Sequence, residues 1–261
     1  MKNNKIMSLS VVIGAVLWCL AAWVVQQFGF SVFNGNDANM FMMLLSSVPS
    51  TLVFLWLIKL LVKKTYSQLF EPVVIITTTA TLLDGIAMTY FREIFYHSQY
   101  LISLRGAAWI LWGVGIALLL SYILVPKSEK LSVKKTSLAV ILGIAFWLNG
   151  AIVINQMGDY ILTDNNNLRS VGLLIAIPVT VITVIIAKYL LGLPYSKMVK
   201  PIVLMTLTAT FCDTIALTWF QSLYSNSTDI AFHGAALILW GAGLGLLIAY
   251  YLEKVSIQNA K

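Results

Sequence analysis

The sequence predicts an all-α membrane protein: eight transmembrane helices forming two parallel four-helix repeats, with both termini in the cytoplasm. Three observations predict it: a large apolar excess, one register of self-similarity across the chain, and lysines confined to alternate loops.

Of 261 residues, 59% are hydrophobic and only 10% are charged. Soluble domains carry about a quarter charged residues, so this surface is built for a solvent other than water. A bilayer-spanning helix needs about 20 mostly apolar residues. Eight such stretches follow one another, at 7–28, 40–62, 73–92, 105–125, 137–157, 170–191, 201–221 and 232–252. The first follows Lys2 and Lys5, as a signal peptide would. It is long, however, no small-x-small cleavage site follows it, and its pattern recurs mid-chain, so it is read as a retained span.

With the N-terminus cytoplasmic, the inner segments hold Lys2, Lys5, Lys59, Lys63, Lys64, Lys127, Lys130, Lys134, Lys135, Lys188, Lys197, Lys200, Lys254 and Lys261. These are all 14 lysines, and the outer connections hold only Arg92, Arg105 and Arg169. Lysine bias in short loops orients a membrane protein with its positive side inside. The net charge of +7 is therefore a topology signal, and nucleic acid is excluded as a partner.

The self-similarity sets the domain organisation. Shifted by 129 residues, Gly14 meets Gly143, Trp18 meets Trp147, Pro49 meets Pro178, Lys59 meets Lys188, Pro72 meets Pro201 and Asp84 meets Asp213. After a one-residue deletion, Gly106-Ala107-Ala108 meets Gly234-Ala235-Ala236, and Leu111-Trp112-Gly113 meets Leu239-Trp240-Gly241. Each copy has an even number of spans, so the copies are parallel; inverted repeats need an odd number. The organisation is a first repeat over 1–125, a cytoplasmic linker over 126–136 (PKSEKLSVKKT) and a second repeat over 137–261.

The strings DGIAMTYF (84–91) and GAAWILWGVG (106–115) recur as DTIALTWF (213–220) and GAALILWGAG (234–243). On these strings each half resembles a family of small four-helix bacterial membrane proteins of unknown function, here as a tandem duplication covering nearly the whole chain. The resemblance implies a helical fold and multi-pass residence in the bacterial cytoplasmic membrane, and it implies no activity. Small multidrug-resistance exporters are similar only in helix count. They carry an essential glutamate in their first span, and neither the first nor the fifth span here holds an acid.

Asp84 and Asp213 are the sharpest candidate site residues. An aspartate at the centre of a span costs about 2.5–3.5 kcal/mol on insertion scales, so such residues face a protein interior or a wet cavity. Each lies about 18 Å into its span at 1.5 Å per residue. Helical spacing puts Thr77, Ala80, Thr81 and Asp84 on one face, repeated as Thr206, Ala209, Thr210 and Asp213. The aspartates are either proton- or cation-binding groups, or packing groups hydrogen-bonded to a tryptophan or a threonine. Trp18, Trp112, Trp147 and Trp240 fall deeper than the usual interfacial belt. A buried indole N–H needs an acceptor, and the aspartates are the ionisable candidates at that depth. These tryptophans read as the wall of a site for a small lipophilic or cationic ligand, or as packed core. Pro49 and Pro178 kink their spans or free a carbonyl. The glycines at 106, 113, 115, 234, 241 and 243 read as close helix packing.

Arg105 and His233 occupy equivalent positions at the outer mouth, as a gate or as ordinary interfacial cations. His97 and His233 have no accompanying metal-binding spacing, so no metal is expected. Cys19 and Cys212 sit in spans and read as small hydrophobes. No P-loop, dinucleotide fingerprint or nucleophile elbow is present, so no cofactor and no catalytic residue is expected. Three readings stay open. The first is a small-molecule transporter or exporter using Asp84 and Asp213, the second a non-transporting structural or partner-binding module, and the third an intramembrane enzyme acting on lipid or quinone. The lipid bilayer is an expected partner.

Overall fold

A computed structural model describes residues 2–95, 99–163 and 165–259. His97 and Lys261 lie outside the described residues. The described residues form an all-helical fold, and among them eight helices are long and apolar enough to cross a membrane. They are α1 (Lys2–Val32), α2 (Asp37–Val62), α3 (Phe70–Tyr90), α4 (Tyr100–Ile123), α5 (Val133–Ile161), α6 (Asn166–Leu191), α7 (Val199–Trp219) and α8 (Thr228–Asn259). At 1.5 Å rise per residue, the 21 residues of α3 and of α7 span about the 30 Å of a bilayer's hydrocarbon core. The protein is therefore a multi-pass membrane protein.

All eight helices start earlier than the apolar stretches suggest, in several cases because the first turn is polar. The Asn36 side chain accepts from the Ala38 and Asn39 amides at 2.9 and 3.4 Å, starting α2 at Asp37. Asn165 does the same for α6 through Asn167, at 2.9 Å. Such caps satisfy amides that have no partner in the first turn. Two ends also match: α2 stops at Lys63 (φ 52°) and α6 at Gly192 (φ 57°), both left-handed. Glycine takes that conformation without steric cost; Lys63 does not. The linker read at 126–136 is shorter in the structure, since Ser132 stands at the N-cap position of α5, without a side-chain capping bond, and Val133 is already helical.

The helices form two layers of burial. The most apolar stretches of α3, α4 and α7 are 61%, 61% and 67% buried and that of α8 is 44%, against 22% to 28% for α1, α2, α5 and α6. α3 packs most extensively on α8 and α4 on α7, so the halves share one central bundle. α1 then lies on α3 and α5 on α7, while α2 lies on α4 and α6 on α8. Exchanging the halves leaves this pairing unchanged. The outer helices expose large side chains such as Trp56, Leu174 and Ile182, which suits a surface bathed in lipid.

Lipid offers no hydrophobic drive for helices to associate, so close van der Waals packing at small residues holds them together. A Cβ placed on Gly85 of α3 would stand 2.8 Å from Trp240 Cβ and 3.0 Å from the α8 backbone. Gly243 of α8 fits against Leu82 and Thr81 in the same way, and Gly115 of α4 against Phe211 and Thr210 of α7. Gly14 and Gly143 admit α1 and α5 to within reach of the Ile76 and Met205 carbonyls. Gly113 and Gly241 differ from the expectation of close packing. A Cβ on either would meet nothing within 4 Å, because both face open space described below.

Across the halves, the Thr214 hydroxyl donates to the Ala108 carbonyl at 3.1 Å. At the lysine-rich end, Glu71 of α3 meets Lys254 and the Tyr250 hydroxyl of α8, each at 2.7 Å.

Candidate functional site

Each aspartate lines a cavity walled by the four helices of its own half. Asp84 lies in a cavity of about 510 Å³ with Trp18, Ser47, Thr77, Trp109 and Gly113 among its lining residues. Asp213 lies in one of about 220 Å³ with Trp147, Thr206, Thr210, Gly150 and Gly241. The carboxylates do not face each other across the central bundle. Both are almost fully buried, at 1% and 4% exposure. Small-molecule sites run from about 300 to 1,000 Å³; the first cavity falls in that range and the second below it.

The larger cavity has an apolar wall with few polar groups. Ser46, Ser47, Ser50 and Thr51 of α2 contribute hydroxyls, each donating to a carbonyl of its own helix at 2.7 to 2.9 Å. Ser47 also accepts from the Trp109 indole at 3.0 Å. Leu20, Ser46, Ser50 and Phe54 line the cavity and are exposed on the outer surface of the protein. The cavity thus reaches the membrane-facing side at α1 and α2. One offset of 129 later, Ser46, Ser47 and Ser50 become Ile175, Ala176 and Val179.

The two carboxylates differ in their partners. Asp213 Oδ1 accepts from the Tyr224 hydroxyl at 2.5 Å, and that hydroxyl accepts from the Trp147 indole at 2.8 Å. Tyr224 is fully buried where a 3₁₀ turn (Gln221–Leu223) ends, eleven residues after Asp213. Eleven residues after Asp84, at the end of the matching 3₁₀ turn (Arg92–Ile94), stands Phe95, equally buried and without a hydroxyl. Asp84 Oδ1 and Trp18 Nε1 accordingly have no hydrogen-bond partner among the described residues. Trp18 lies beside Asp84, but its indole N–H does not reach hydrogen-bond geometry.

The remaining predicted residues divide between cavity and core. Trp112 and Trp240 lie outside the cavities and do not bond the aspartates. They donate to backbone carbonyls of α2 and α6, at Leu44 (2.9 Å) and Leu173 (3.0 Å). Neighbouring helices supply acceptors that a search among ionisable side chains overlooks. Thr81 donates to the Thr77 and Thr78 carbonyls and packs on Gly243, away from the cavity. Thr210 donates to the Leu207 carbonyl while lining the smaller cavity. α2 and α6 run as helices through Pro49 and Pro178.

Arg105 and His233 are buried, at 7% and 1% exposure, so neither stands free at an open mouth. Arg105 bridges to Asp37 at 2.7 Å. His233 Nε2 lies 3.2 Å from Asp229 Oδ1 and 2.7 Å from Arg169 Nη1. Arg169 also donates to the Asn166 side chain at 2.7 Å. Both clusters tie the N-terminal ends of neighbouring helices together, α4 to α2 and α8 to α6. Among the described residues no three His, Cys, Asp or Glu side chains group closely enough to hold a metal ion.

Two contributors were missing from the sequence reading. Trp109 was hidden because its counterpart, Leu237, breaks the repeat pattern. Tyr224 was hidden because it lies outside the apolar spans; pairing it with Phe95 at the 129-residue offset is the signal that finds it. Comparisons with protein-family models, curated proteins and solved structures find no match to this chain.

Proposed function

We propose that this chain is a membrane transporter of a small lipophilic or cationic molecule, acting through a buried intramembrane aspartate. The observation that carries this reading is the placement of Asp84, a nearly fully buried carboxylate in the wall of a mainly apolar cavity of about 510 Å³. Intramembrane acids are costly, and their usual use is in substrate or proton pathways. A cavity reaching the lipid-facing surface suits a solute that partitions into the bilayer before it is bound.

The same reading takes the chain as a tandem duplication of a four-helix unit, related to small bacterial membrane proteins. Its termini lie in the cytoplasm and it resides in the bacterial cytoplasmic membrane. Support for the duplication comes from pairs that keep the 129-residue offset in their roles: the caps Asn36 and Asn165, and the indole acceptors Leu44 and Leu173. Lysine placement supports the orientation.

A non-transporting structural role draws on one observation, the Trp147–Tyr224–Asp213 chain, in which the carboxylate is occupied internally. The two readings separate in proteoliposomes. Under the transport reading, the double variant Asp84→Asn and Asp213→Asn keeps its fold by circular dichroism and size exclusion and loses pH-dependent solute flux. Undiminished flux in the double variant contradicts the reading. Loss of folding or assembly, with no wild-type flux to lose, supports the structural role.

A further inference from the structure

We infer that the two cavities have diverged: the N-terminal one binds a lipophilic cation with Asp84 as its counter-charge, while the Tyr224 hydroxyl keeps Asp213 out of ligand binding. This rests on the transport reading and narrows it to one half of the molecule and one ligand class.

The argument starts from three differences at matching positions. The first is hydrogen bonding. Asp213 is bonded to Tyr224, which in turn takes the Trp147 N–H. Asp84 Oδ1 and Trp18 Nε1 have no partner among the described residues, and Phe95 stands where the bridging hydroxyl would be. A buried, unpaired carboxylate oxygen is expensive to maintain, so in an ordinary core it would gain a partner as Asp213 has. The second is room: about 510 Å³ against about 220 Å³. The third is the wall. The larger cavity adds Trp109, whose N–H is engaged by Ser47, and the serines of α2.

These features select the ligand. The wall is mainly apolar, so the ligand's body is apolar. Indole rings of Trp18 and Trp109 line it, and aromatic faces attract cations, most strongly where water is excluded. Asp84 is the one titratable side chain among the described lining residues, with no lysine, arginine or histidine to neutralise it. A lipophilic cation meets all three conditions; a lipophilic anion fails the last two. Binding exchanges one positive charge for another. The carboxyl proton leaves to the aqueous phase, and the aspartate remains as counter-charge to the cation. Affinity therefore rises with pH, since protons and cation compete for one carboxylate.

The test is equilibrium binding of radiolabelled tetraphenylphosphonium to the full chain in dodecyl maltoside micelles. One saturable site per chain is expected, tighter at pH 8 than at pH 6. Asp84→Asn abolishes it, and Asp213→Asn and Tyr224→Phe leave it within twofold. Phe95→Tyr, which supplies the missing hydroxyl, weakens it at least tenfold. Gly113→Leu fills the cavity from a position with no neighbour within 4 Å and blocks binding even if Phe95→Tyr misfolds. Two sites per chain, equal losses from the two asparagine variants, or no saturable wild-type binding each overturns the proposal. The transport reading fails separately. Wild-type flux abolished by Asp213→Asn alone would refute this division of labour but leave transport standing. Binding without flux would do the reverse.

Discussion

Replacing Gly85 by alanine tests the packing that holds the two halves together. The added methyl must enter a space where Trp240 Cβ lies at 2.8 Å and the Trp240 backbone at 3.0 Å. Backbone cannot swing aside as a side chain tip can, so α3 and α8 must separate along their extensive contact. Forcing extra methylenes into a filled core costs about 1–3 kcal/mol. Alanine also has the better intrinsic helix propensity, by roughly 0.5–1 kcal/mol, which offsets part of that cost and blurs a single measurement. Gly113→Ala removes the ambiguity. It carries the same propensity gain, but its methyl meets nothing within 4 Å. The difference between the two variants isolates packing and is expected at about 1–3 kcal/mol, with Gly85→Ala the less stable. Unfolding by sodium dodecyl sulfate titration in mixed micelles, followed by circular dichroism, gives the comparison. Equal stabilities, or a more damaging Gly113→Ala, would refute the claim that one glycine is a helix contact and the other a cavity wall.

Tyr224→Phe deprives Asp213 of its donor and Trp147 of its acceptor. Each stranded buried group costs about 1–3 kcal/mol, so the same titration is expected to show a clear loss. Trp112→Phe and Trp240→Phe each remove one indole-to-carbonyl bond. Each is expected to cost about 0.5–1.5 kcal/mol, with no effect on cation binding. A C-terminal green fluorescent protein fusion should fluoresce and a C-terminal alkaline phosphatase fusion should stay inactive; the opposite pattern contradicts the cytoplasmic assignment of that end.

How much of this was legible in the sequence depended on whether a feature is local. The eight spans were, because apolar length is read residue by residue; only their ends moved, where Asn36 and Asn165 cap polar first turns. The placement of Asp84 and Asp213 on small, polar helix faces followed from helical spacing. Their surroundings did not. Glycine looks the same whether it admits a neighbouring helix, as at Gly85, or borders a cavity, as at Gly113, and only tertiary packing separates the two. The acceptors of Trp112 and Trp240 are backbone carbonyls, which no side-chain pattern announces. Tyr224 and Phe95 lie in loops between spans, where hydropathy is silent, yet they distinguish the two halves most sharply.

The most direct test is labelling with a lipophilic carbodiimide, which enters the bilayer and converts a protonated carboxyl to an N-acylurea. The full chain in native membranes is treated with N,N′-dicyclohexylcarbodiimide and the modified residue is located by mass spectrometry. The account predicts label on Asp84, suppressed by tetraphenylphosphonium, and label on Asp213 only after Tyr224→Phe. Label on wild-type Asp213 with Asp84 untouched, or label on Asp84 that the cation does not suppress, would contradict it.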